Sequence, residues 1–239
     1  GGADVLICVP IVEEEECELE QTSKSIALLE PDVVEWRADY FIDVCNPKKV
    51  MEALRALRGI IGDIPLIFTL RSSLEGGFKK VEDHIRFDII RQAILSGEID
   101  AVDIELASSN SDIERIKKAA EVYDIPLILS YHNYAETPSV ELLLDKIREE
   151  VSKGADIAKI AVMPQKEEDV LNLLSATLKA RKEMPDTPLI TVSMGELGTI
   201  SRIAGGVFGS DLTFGAWEKT SAPGQISIDQ LRPLMKRSK

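Results

Sequence analysis

Short apolar runs rich in β-branched residues alternate with longer stretches of helical periodicity along the chain. The short runs fall at 5–9, 33–37, 66–70, 101–105, 127–131, 157–162, 189–193 and 211–214, and each predicts a strand. Between them, 47–61, 79–97, 109–124, 138–152, 166–183 and 227–237 carry apolar residues at helical spacing. Val81, Ile85, Ile89 and Ala93 line up at four-residue intervals as one such stripe. Thr137-Pro138 reads as an N-cap followed by proline at the first helical position. Strands separated by helices predict a parallel sheet, and eight is the number that closes on itself. The expected fold is therefore α/β, a (β/α)8 TIM barrel, with residues 1–239 as a single domain.

The strands fall into two alternating classes. One opens with Pro-Leu-Ile, at Pro65, Pro126 and Pro188; the other opens with aspartate, at Asp32, Asp100, Asp156 and Asp211. A barrel imposes such a two-unit period, because odd and even strands feed different interior layers. Six residues beyond each proline stand Arg71, His132 and Met194. Three beyond each aspartate stand Glu35, Asp103, Lys159 and Phe214, with Arg37 and Glu105 two further along the same faces. Ionisable groups thus gather towards the C-terminal strand ends, where barrel active sites lie.

Lys159 sits within Asp-Ile-Ala-Lys-Ile-Ala-Val-Met, on a strand covered on both faces. Two readings stand: an amine kept neutral by burial and nucleophilic towards carbonyls, or an ammonium paired with a carboxylate such as Glu105. His132, at a strand end, suits general acid/base work or a structural hydrogen bond to a loop. His84, in the middle of a helical stretch beside Asp83 and Arg86, reads as a solvated surface residue. Arg37, Arg71 and Arg202 are candidate clamps for an anion, or members of an internal network with Glu35, Asp39, Asp103 and Glu105. Glu75 lies in Arg71-Ser-Ser-Leu-Glu-Gly-Gly77 after the third strand. Ser221-Ala-Pro-Gly-Gln225 follows the last strand and suits a loop that folds over a ligand. Gly205-Gly206-Val-Phe-Gly209 has no phosphate-loop pattern and reads as the end of the seventh helix. The Glu13–Glu16 run reads as a solvated loop.

Net charge of −13 and a pI near 4.7 argue against nucleic acid or an anionic membrane as partner. An anionic substrate would then need local cations. Cys8, Cys17 and Cys45 form no C-x-x-C pair and read as free thiols of a reducing cytoplasm. With only two histidines, no metal site is expected. No apolar run approaches the roughly 20 residues a membrane helix needs. Gly1-Gly2-Ala3-Asp4 carries no basic segment of a signal peptide and no initiator methionine, which reads as a trimmed chain or a tag remnant.

Taken in order, Glu35-Trp-Arg-Ala-Asp39, Arg71–Gly77, Asp103-Ile-Glu105, Ser130-Tyr-His-Asn133, Lys159, Ser193-Met-Gly195, Arg202 and Ser221–Gln225 resemble type I 3-dehydroquinate dehydratase, an enzyme family of the shikimate pathway to chorismate and the aromatic amino acids. The resemblance spans nearly the whole chain. It implies a lyase that removes water from 3-dehydroquinate to give 3-dehydroshikimate. Lys159 would form an imine with the substrate ketone. His132 would take the proton beside the imine, protonate the leaving hydroxyl, and assist imine formation and hydrolysis. Glu75 would orient His132, and Arg202 would hold the substrate carboxylate. Glu35, Arg37, Arg71, Ser221 and Gln225 would bind hydroxyls and close the pocket, against Met194, Phe214 and Ala222. It implies no metal, no diffusible cofactor and a cytoplasmic homodimer. Members often carry an N-terminal hairpin beneath the barrel, whereas this chain begins almost at its first strand. A class I aldolase with a phosphate site after strands 7 and 8, and an inactive barrel used as a scaffold, are the alternative readings.

Overall fold

A computed structural model describes residues 5–237, so the expectation for Gly1–Asp4 lies outside the described residues. Eight strands alternate with eight helices: β1 Leu6–Ile11, α1 Glu16–Leu28, β2 Val33–Arg37, α2 Pro47–Ile61, β3 Leu66–Thr69, α3 Asp83–Ser96, β4 Ala101–Glu105, α4 Asn110–Tyr123, β5 Leu127–Asn133, α5 Val140–Ser152, β6 Ile157–Val162, α6 Glu167–Glu183, β7 Leu189–Ser193, α7 Thr199–Phe208, β8 Leu212–Phe214 and α8 Ile228–Arg237. Short 3-10 turns follow β2 at Ala38–Tyr40 and β3 at Ser73–Glu75. All ladders are parallel, and the strand order runs β7-β6-β5-β4-β3-β2-β1-β8. Between β7 and β8 the ring closes through fewer bonds. The Asp211 N–H donates to Leu189 O (2.7 Å) and the Thr191 N–H to Ser210 Oγ (3.1 Å). None of the helices described is long and apolar enough to cross a membrane.

The two strand classes have a physical cause at the bottom of the barrel. Asp32, Asp100, Asp156 and Asp211 each turn a carboxylate onto the first strand to their N-terminal side. They accept the N–H groups of Ile7, Leu66, Leu127 and Leu189 at 2.7–2.8 Å. The carbonyls of Pro65, Pro126 and Pro188 accept from Val34, Val102 and Ala158 on the preceding even strands. Proline suits a strand start because no ladder donor is needed there. A bond pattern is thus repeated every two strands, and the sequence period records it.

Inside the barrel, each step of two residues changes the layer. The lowest layer is apolar, with Val33, Ile67, Ala101, Ile128, Ile190 and Leu212 packed beside buried Cys8. Above it come Glu35, Asp103 and Lys159, all almost fully buried. The opposite strand faces carry Trp36, Phe68, Ile104, Leu129 and Ile160 against the helices.

Several local expectations shift. The stripe over 79–97 starts late: α3 begins at Asp83, Val81 precedes it, and the buried face comprises Arg86, Phe87, Ile89, Ile90, Ala93 and Ile94. His84 is exposed as expected, but in the first turn of that helix. The cap of α5 is Ser139, not Thr137, because the Ser139 hydroxyl accepts the Leu142 N–H. The acidic run is solvated at Glu14–Glu16, as expected, but not throughout. Glu16 opens α1, and Glu13 is buried, accepting from Thr22 (2.9 Å) and pairing with Lys219. Gly209 does end α7, in the left-handed conformation.

Behind β6 lies a group that the sequence did not flag. Glu150 of α5 is fully buried, and its Oε2 accepts the backbone N–H of Lys159 (3.1 Å). Its Oε1 has no partner among the described residues. Burial therefore holds this carboxyl well above the usual carboxylate range. The folded chain keeps a proton that the unfolded chain releases, so Glu150 costs stability as pH rises through the ordinary carboxylate range towards the raised value. Glu150→Gln keeps an acceptor for the Lys159 N–H. We expect it to be more stable than the parent by about 1–2 kcal/mol at pH 8, with a smaller difference at pH 4.5, in urea unfolding. Stability–pH curves that run parallel for the two proteins would contradict this account.

Candidate active site

The interior faces of the strands converge on a cavity at the C-terminal mouth. Its walls include Glu35, Arg37, Arg71, His132, Lys159, Met194, Arg202, Phe214, Ser221, Ala222 and Gln225. Glu75 stands one layer behind the histidine. Its Oε2 accepts the His132 backbone N–H (2.9 Å) and lies 3.1 Å from Nδ1. The structure thus brings the residues that the resemblance assigns to the site to one place.

Lys159 Nζ points into the barrel, 2.7 Å from Asp103 Oδ2 and 3.4 Å from Glu35 Oε1, and lies over the Phe214 ring. Of the two readings, this geometry favours the ammonium paired with a carboxylate. Burial and Arg71 favour the neutral form, but Asp103 and Glu35 outweigh them, and the lysine is raised above its ordinary value. Nor is Glu105 its partner. Glu105 is taken by Arg71 (2.9 Å) and Arg86 (2.5 Å). Arg71 also pairs with Asp103 (2.9 Å), which links the groups into a buried row: Glu35, Lys159, Asp103, Arg71, Glu105, Arg86. Removing one member of such a row leaves an uncompensated charge and typically costs about 3–5 kcal/mol.

The three candidate clamps are not equivalent. Arg37 spends its fork on Asp39, with two bonds of 2.8 Å, and reaches the carbonyls of Gly76 and Ser221. Arg71 is committed to Asp103, Glu105 and Ser130. Both therefore belong to the internal network while still lining the cavity. Arg202 differs. It is buried, donates one bond to Pro223 O (3.0 Å), and its Nε has no partner among the described residues. Burial without a carboxylate lowers its pKa to about 10. A desolvated guanidinium with free N–H groups is prepared for an anion.

His132 is nearly buried, and burial together with Arg71 and Lys159 holds its imidazole well below its ordinary value. Burial pushes Glu75 the other way, to about 7, against the pull of Arg71. A neutral imidazole whose Nδ1–H faces Glu75 leaves Nε2 as the free base. The last loop closes the mouth. Gln225 Oε1 accepts the Ser221 N–H (2.8 Å), Gln225 Nε2 donates to Ser221 Oγ (3.0 Å), and the Gly195 N–H donates to Pro223 O (3.1 Å). Gly224, at φ +77°, comes so close to Gly195 that any side chain there would strike its carbonyl.

Tyr134, Ala161 and Val192 also line the cavity and were not singled out in the sequence. Their signal was available: each stands two residues from a proposed site residue or an inward-facing neighbour, namely His132, Lys159 and Met194.

Comparison with known proteins agrees with this geometry. The sequence model of a family described as type I 3-dehydroquinase matches residues 7–239. A 3-dehydroquinate dehydratase of Bacillus licheniformis is 40% identical over 229 residues, covering 96% of this chain and 90% of the relative. The crystal structure of 3-dehydroquinate dehydratase from Geobacillus kaustophilus superposes with a TM-score of 0.96 at 41% identity, covering 99% of this chain and 92% of that one. A type I enzyme from Clostridium difficile, described with covalently modified comenic acid, gives a TM-score of 0.95 at 39% identity, covering 99% of this chain and 93% of that one. From its barrel, its buried lysine and these matches, the chain belongs to the type I 3-dehydroquinase family.

Proposed function

We propose that the cavity performs its family's reaction, the dehydration of 3-dehydroquinate to 3-dehydroshikimate, through an imine on Lys159. The observation that carries this reading is the placement of Lys159 Nζ and the His132 imidazole on inner faces of adjacent strands, lining one cavity. The ketone accepts the lysine nitrogen, and loss of water leaves a protonated imine. That cation is an electron sink, so the neighbouring C–H becomes acidic near neutral pH. His132 Nε2 takes this proton, and the electron pair moves into an enamine. The enamine expels the β-hydroxyl, which leaves as water with the proton from His132. Water then hydrolyses the conjugated imine and returns the free lysine. One group acts as base and then as acid, and the lowered value of His132 keeps it in the neutral form that can accept the C–H proton.

The ion pair sets a condition on the first step. Lys159 must lose a proton before it can attack, because an ammonium has no lone pair. The neutral His132 imidazole is assigned this transfer through Nε2; it returns the proton to the carbinolamine hydroxyl, which leaves as water, and is neutral again for the C–H step. Glu75 orients its ring. Arg202 holds the substrate carboxylate and supplies the local positive charge that an acidic protein lacks elsewhere. Glu35, Arg37, Arg71, Ser221 and Gln225 meet substrate hydroxyls, and Met194, Phe214 and Ala222 form the apolar walls. The aldolase alternative falls with the family assignment. We further propose that residues 1–239 act as one catalytic domain, in the cytoplasm, as a homodimer. Leu171 of α6 and Ile200 and Val207 of α7 are exposed apolar side chains on neighbouring helices and offer a surface for pairing.

Borohydride added with 3-dehydroquinate should leave a stable adduct on Lys159, read by peptide mass spectrometry. An adduct on another lysine, or none, would sink the imine mechanism. Arg202→Ala should raise KM by roughly 30–100-fold with a smaller loss in kcat, as expected for losing a charged hydrogen-bonded pair. An unchanged KM would remove Arg202 from the carboxylate site.

A further inference from the structure

Arg202 accounts for only part of a carboxylate site. A planar carboxylate presents two oxygens, and one guanidinium with a bond already given to Pro223 leaves room for a second donor. Tyr134 is placed to be that donor. It lines the same cavity as Arg202. Its ring lies near-parallel to the His132 ring, at 17° and 6.5 Å between centroids, and its edge packs against Gly76. Gly76 has φ +84°, and a Cβ there would fall 2.5 Å from the tyrosine ring, so the glycine is what lets the ring settle. The phenol hydroxyl, by contrast, makes no hydrogen bond within the described residues, and the side chain stays partly open at the mouth.

We infer that Tyr134 is a specificity-determining residue, whose hydroxyl donates to the substrate carboxylate beside Arg202. This rests on the reading that Arg202 binds that carboxylate. Packing on Gly76 limits the side-chain freedom that binding must remove, and the unpaired hydroxyl has no protein bond to give up. Selectivity for an acid over a neutral analogue follows, because an ester lacks the charge that strengthens the bond.

Tyr134→Phe keeps the ring on Gly76 and removes only the oxygen. Steady-state kinetics with 3-dehydroquinate and with its methyl ester test the inference. For the acid, KM should rise about tenfold while kcat falls less, in line with losing one hydrogen bond to a charged group. For the ester, KM should change little. An unchanged KM for the acid would overturn the inference, and so would an equal penalty on acid and ester. Borohydride trapping on the same variant keeps the two proposals apart. With saturating substrate the adduct should still form at Lys159, so a lost adduct would indict the imine reading and not the tyrosine.

Discussion

The bond between Lys159 and Asp103 is the constraint around which the centre of the barrel is built. An ammonium cannot stand dry and alone, so the strands around it supply Asp103 and Glu35 from the same layer. Those carboxylates cannot stand alone either. Arg71 answers Asp103 and then Glu105, and Arg86 completes the row. A layer of charge at this depth is tolerable only because every member has a partner within hydrogen-bonding distance. The apolar layer beneath it and the helices around it keep water out and the geometry fixed.

That arrangement changes how the lysine is understood. A buried lysine among arginines would be neutral and ready to attack; this one is paired, and its resting state is the ammonium. In the proposed reaction, reactivity is released at the moment of binding, when the ketone arrives and the neutral imidazole is at hand to take a proton. Arg202 obeys the opposite logic. It has no carboxylate facing it, an unpartnered Nε and a lowered pKa, so its missing partner is supplied by an anion from outside. On the proposed reading that anion is the substrate carboxylate, and Arg202 gives a chain of net charge −13 a local cation to meet it.

Much of this was legible in the sequence. Strands β2, β4, β6 and β7 fall where the apolar runs end, since their limits are set by the Asp and Pro residues whose bonds tie the barrel bottom. Lys159 and His132 were found because strand alternation fixes which face a residue takes, whereas Arg202, on α7, was marked only by the chemistry of its guanidinium. Helix α1 was hidden by its acidic opening, because Glu13 and Glu16 look solvated until Thr22 and Lys219 are seen around Glu13. The true partner of Lys159 was hidden as well. Asp103 and Glu105 stand on the same face, and only the three-dimensional register decides which one meets β6 and which meets Arg86. Glu150 left no trace, since one more glutamate on a charged helix reads as surface until its side chain is seen turned beneath the strand.

The charge on Lys159 is directly measurable. NMR titration of the lysine side chains, assigned through Lys159→Arg, should place Lys159 at or above the ordinary lysine value in the ligand-free protein. It should move down in Asp103→Asn, which removes the partner charge and keeps a polar side chain. A Lys159 that is already neutral at pH 7, or that titrates unchanged without the Asp103 charge, would contradict the account.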